Sequence, residues 1–82
     1  EYSLKILELL VNSGADPNIL EWSNYNNALI VAMGRLHSKT PVNFIEYLIK
    51  LTDNLDLQNE QNNTALLTLC KSTLIWTTDY SI

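Results

Sequence analysis

The sequence is short of nearly everything that carries covalent chemistry. It has one cysteine, Cys70, and one histidine, His37. A lone cysteine forms neither an internal disulfide nor a multi-thiolate zinc site, and it implies a reducing, intracellular compartment, cytoplasmic by default. Glycine occurs twice, at Gly14 and Gly34, so no glycine-rich phosphate loop exists. Basic residues number five against nine acidic ones, for a net charge of −4. Without a basic run, a surface that tracks nucleic-acid phosphates is excluded. The longest apolar run is Ala28–Met33, far short of the roughly 20 residues that cross a bilayer. No charged-then-apolar leader opens the chain. It starts at Glu1, and we expect a piece of a longer protein.

The same scarcity argues against metal and catalytic sites. Asp53, Asp56 and Glu60 are near neighbours, but not at the alternating spacing of a calcium loop. No metal and no cofactor is expected. A Cys70–His37 thiol dyad would need both groups within hydrogen-bond reach. Cys70 reads instead as a small hydrophobe at a core position of a short helix, and His37 as a solvated residue in a polar link. No catalytic residue is assigned, and the chain is not expected to be an enzyme. Asn62-Asn63-Thr64 is formally a glycosylation acceptor, but it reads as a left-handed turn residue followed by a helix cap.

What is present is an echo. Leu7–Ile19 is an apolar helix face, a glycine stop and a turn; Ile45–Leu57 repeats the pattern 38 positions later. Leu7 matches Ile45, Glu8 matches Glu46, Leu10 matches Leu48 and Val11 matches Ile49. In the turns, Asp16 matches Asn54 and Asn18 matches Asp56. A fixed period of 20–50 residues marks stacked repeats.

Taken in order, Tyr2–Asn12 has apolar residues at 4, 7, 10 and 11, a helix with a buried stripe. Gly14 stops it in the left-handed conformation, and Ala15-Asp16-Pro17-Asn18 is turn chemistry. Ile19–Asn27 is a polar, hairpin-like loop. Asn27 caps a short second helix from Ala28, whose end Gly34 loosens. Leu36–Pro41 is a polar link, and Pro41 is placed to begin a third helix, Val42–Leu51. Leu55–Asn63 is a second loop, and Thr64 caps Ala65–Cys70, the echo of Ala28–Met33 at a spacing of 37. A longer link, Thr73–Asp79, follows. Asp79-Tyr80-Ser81-Ile82 resembles Glu1-Tyr2-Ser3-Leu4.

This order of elements resembles the ankyrin repeat, a β-turn and two antiparallel helices of about 33 residues. Gly14-Ala15-Asp16-Pro17-Asn18 matches the family's G-A-D-x-N element. Asn27-Ala28-Leu29 and Thr64-Ala65-Leu66 stand where the family has T-P-L, with Ile30 and Leu67 in place of its histidine. Asn62 stands where the family has glycine. The resemblance runs from Leu4 to about Ser72. It implies an all-α solenoid of antiparallel helix pairs joined by hairpin loops. Residues 1–18 would end one repeat, 19–56 form a full repeat, and 57–82 begin a third. Both outer faces would then be apolar and uncapped, with poor stability in isolation and self-association through the ends.

The function implied is non-catalytic binding of another protein through the loop tips and the solvent side of the first helices. On the loops that points to Glu21, Trp22, Ser23 and Tyr25, then to Asn59, Glu60 and Gln61. On the helices it points to Val31, Arg35, Thr68 and Lys71. Acidity at Glu21 and Glu60 favours a basic or neutral partner. Trp22 and Tyr25 read equally as interface anchors or as aromatics folded back onto a neighbouring repeat. Trp76 has the same two readings, the second as a cover beside Leu74 and Ile75. Two other functions stay open. One is a regulatory or targeting segment of a larger multidomain enzyme; the other is a small thiol enzyme on Cys70 and His37.

Overall fold

Ser3 starts the first helix. Its Oγ accepts the backbone N–H of Ile6 at 3.2 Å, and α1 runs Leu4–Asn12; Tyr2, where the pattern places the start, lies outside the described residues. Three more helices follow: α2, Ala28–Gly34; α3, Val42–Leu51; and α4, Ala65–Tyr80. The computed structural model describes residues 3–36 and 38–80, the last eight of these by backbone alone. The architecture is all-α, with no strand among the described residues. His37 and the side chain of Trp76, with the readings attached to each, lie outside the described residues.

The two long-range turns reach the same result by different means. After α1, Gly14 takes φ +108°. Ala15 N–H then reaches Leu10 O at 3.0 Å, and Gly14 N–H reaches Val11 O at 3.0 Å. That nested pair satisfies carbonyls that a helix end would otherwise orphan. After α3 there is no glycine. Thr52 Oγ1 donates to Leu48 O at 2.7 Å, and Asn18 Nδ2 donates to Leu51 O at 3.0 Å. Side chains thus do the work of the missing backbone turn. Beyond both stops the same bond recurs 38 positions apart: Asn18 N–H to Asp16 Oδ1 at 2.9 Å, and Asp56 N–H to Asn54 Oδ1 at 3.0 Å.

Helix starts follow the expected chemistry. Asn27 is buried, and its Oδ1 accepts Ile30 N–H at 2.9 Å. Thr64 Oγ1 accepts Leu67 N–H at 3.2 Å. Pro41 stands one position before α3, as its cap in extended conformation, and not at the first helical position. The largest departure is α4. The expected link at Thr73–Asp79 does not form; the helix runs on to Tyr80. No glycine or proline lies between Lys71 and Tyr80, so nothing local ends the helix.

The core is small and centred on α2, which packs against α4 and α3. Leu29, Ile30, Met33, Leu48 and Ala65 are buried together. Leu7 packs against this cluster, but α1 contributes no buried residue. Of its expected stripe, Leu4, Leu7 and Val11 are half-buried and Leu10 is exposed. Cys70, expected in the core, is also exposed. The radius of gyration is 13.3 Å and the extents are 46 × 27 × 19 Å. A compact domain of this length would have a radius of about 12 Å, so the chain is elongated.

Candidate functional site

Two loops stand side by side at one edge of the helices. In the first, Glu21 N–H donates to Asn26 O at 2.9 Å, and Tyr25 N–H donates to Glu21 O at 3.1 Å. In the second, Asn59 N–H donates to Asn63 O at 3.0 Å, and Asn62 N–H donates to Asn59 O at 2.9 Å. Each closure is preceded by one residue of left-handed backbone: Tyr25 at φ 59° and Asn62 at φ 65°. The loops are the same device, with one extra residue in the first.

They are also bonded to each other. Glu60 N–H donates to Asn24 O at 2.8 Å, and Asn59 Nδ2 donates to Asn26 Oδ1 at 2.7 Å. Asn59 is the hub, because its Oδ1 also accepts Gln61 N–H and Asn63 N–H, both at 3.0 Å. Asn26 Nδ2 in turn donates to Glu21 Oε1 at 2.7 Å. Lys71 Nζ reaches back from α4 to Asn63 Oδ1 at 2.9 Å.

Between these loops and the helices lies an open cleft of about 520 Å³. Seven of the residues picked out by sequence line it: Glu21, Val31, Arg35, Asn59, Gln61, Thr68 and Lys71. Glu60 joins a smaller hollow of about 170 Å³ between the loops, with Asn24, Asn26, Asn59 and Gln61. Ser23, Trp22 and Tyr25 line neither and stand out on the first loop. Trp22 is 93% exposed. It does not fold back onto a neighbouring helix, so the core reading of this residue fails. Tyr25 is half exposed.

Charge in the cleft differs from the expectation built on the loops. Among the described residues Glu21 is its one carboxylate, and Arg35 and Lys71 are its cations. Acidic groups sit at the loop side and basic groups on the helix side. Sequence reading missed Asn24, Asn26, Ile30, Gly34, Asn63 and Ser72 of the lining. The asparagines left a signal, their clustering just before each helix cap. Ser72 left none: its Oγ donates to Met33 O at 3.1 Å, a contact set by how α4 crosses α2.

Among the described residues no group of His, Cys, Asp and Glu could hold a metal ion, and no helix is long and apolar enough to cross a membrane. Comparison with protein-family models, with curated proteins and with solved structures finds no match to this chain.

Proposed function

We propose that the chain is a non-catalytic protein-binding segment built on the ankyrin-repeat plan, holding its partner in the cleft and against the first loop. Four features support the plan. The helix starts recur, those of α1 and α3 at a spacing of 38 and those of α2 and α4 at 37. The turn bond recurs at that spacing. The two loops close in the same way. The elongated outline is that of stacked units. On this plan residues 1–18, 19–56 and 57–82 remain the three portions, with α4 as the first helix of the last.

The observation that carries the binding role is Trp22. A tryptophan this exposed adds nothing to the core, and it stands beside a polar cleft whose walls are already tied together. Large, exposed aromatics at such places are the usual anchors of interfaces. The partner is a protein surface with an apolar pocket for Trp22. Across the cleft it meets Glu21 on one side and Arg35 with Lys71 on the other.

The test is capture and titration of a partner by the immobilised chain, with Trp22→Ala and Lys71→Glu as variants. We expect Trp22→Ala to weaken binding by more than about fivefold, or 1 kcal/mol, with the thermal midpoint unchanged. A partner held equally well by both variants would remove the cleft and its loop from the interface.

A further inference from the structure

The helix wall of the cleft turns its neutral donors inward and keeps its charged ones for the outside. Thr68 Oγ1 donates to Thr64 O at 2.9 Å, and Ser72 Oγ donates to Met33 O at 3.1 Å. Each hydroxyl has a single hydrogen, so both are taken up by backbone carbonyls. Lys71 differs. Its ammonium has three N–H groups and places one on Asn63 Oδ1 at 2.9 Å. With that oxygen on the lysine, the side-chain NH2 of Asn63 is left over, and among the described residues nothing accepts from it. Arg35 adds a second positive charge to the wall, and among the described residues no carboxylate stands there. Glu21 belongs to the loop side, with Oε1 accepting from Asn26 Nδ2. The helix wall thus offers donors and positive charge, the reverse of a chain whose net charge is −4.

The loop side offers paired groups. Asn24 and Gln61 line the same cleft. Asn24 bonds the other loop through its backbone oxygen, and Gln61 bonds Asn59 through its backbone N–H. Both carboxamides stay open. A carboxamide carries an acceptor and a donor side by side, the pattern of a peptide unit. An extended chain leaves its peptide units open to such pairing, whereas a helix uses them internally.

We propose that the cleft takes an extended, acidic segment of the partner, with an Asp or Glu carboxylate on Lys71 Nζ and neighbouring peptide units on Asn24 and Gln61. This rests on the reading of the cleft as a protein-binding site. Held by Asn63, the ammonium has little side-chain freedom left to lose when the carboxylate arrives. Glu21 sets the direction. An acid over the loop side would meet like charge, so the segment turns its carboxylate to the helices and a neutral or basic residue to the loop.

Selection from a random linear-peptide display library on the immobilised chain tests this, run in parallel on Lys71→Met, Lys71→Glu and Trp22→Ala. Lys71 is exposed, so its variants should keep the far-UV circular dichroism and thermal midpoint of the unaltered chain. Peptides selected on the unaltered chain should share one Asp or Glu position. Lys71→Met should bind them about tenfold more weakly, the size of one charge-assisted hydrogen bond. Replacing the peptide's carboxylate by its amide should cost the same factor without touching the protein. Affinity should fall as salt rises, and Lys71→Glu should select Lys or Arg at that position instead.

Peptides with no shared acid, an acid retained on both Lys71 variants, or a library that yields no binder would each overturn the proposal. Binders without charge preference that Trp22→Ala still weakens would sink this inference and spare the binding role. So would a library without binders beside a protein captured whole. A captured protein that neither the Lys71 nor the Trp22 variants weaken would sink both.

Discussion

The first and second loops close with the same pair of backbone bonds, yet they are built from unlike residues. In the second, an asparagine side chain at Asn59 collects two N–H groups, and an asparagine, Asn62, takes the left-handed turn. In the first, Glu21 stands at the Asn59 position and Tyr25 at the Asn62 position. Asparagine enters left-handed backbone at little expense because its short side chain bonds locally, whereas an ordinary residue gives up about 1–2 kcal/mol. One loop is therefore relaxed and the other carries strain. The strained loop is also the one that exposes Trp22. Strain held beside an exposed aromatic is the pattern of a working surface, which accords with the proposal that the first loop binds while the second supports it.

Substitutions can break or sharpen that contrast. The largest effect belongs to Asn59→Ala. It strands two loop N–H groups and the link to Asn26, and should lower unfolding stability by about 2 kcal/mol, read from urea titration by circular dichroism. A loss below a quarter of that would mean that the second loop does not depend on its hub. Next is Tyr25→Asn, which should raise stability by about 0.5–1 kcal/mol while weakening any partner that contacts the tyrosine. Destabilisation would show that the ring, half exposed as it is, packs for more than the backbone loses. Smallest is Glu21→Gln, which keeps an acceptor for Asn26 and removes the charge; stability should change by less than about 0.5 kcal/mol. A larger shift would make the first loop's carboxylate structural.

Local chemistry made much of this fold legible. Asn27 and Thr64 mark their helices because a side-chain oxygen facing a free N–H is a local matter. Gly14 marks its stop for the same reason. The echo then misled where it was extended too far. It asked for a break after Cys70 to match the one after Met33, although Gly34 supplies that break in the first copy and Lys71 replaces it in the second. Local sequence won over symmetry, and α4 ran on. Exposure at Cys70 and Leu10 was not legible at all, because burial depends on which helix lies across a face and not on the residue in it. Tyr25 was hidden by its type, since tyrosine gives no hint of positive φ. Only its register against Asn62, at a spacing of 37, points there. For the cleft, the residues projecting from helices and loop tips were found, and the asparagines that bind loop to loop were not.

The Glu60–Asn24 and Asn59–Asn26 bonds bear on the proposed binding role. They set the distance between the two loops before any partner arrives. A ligand spanning both would then meet a platform of fixed spacing and would not have to gather two wandering segments. Little conformational freedom remains to be lost on contact, so more of the contact energy survives as affinity. Variation among partners should appear in how long each stays and much less in how quickly each lands.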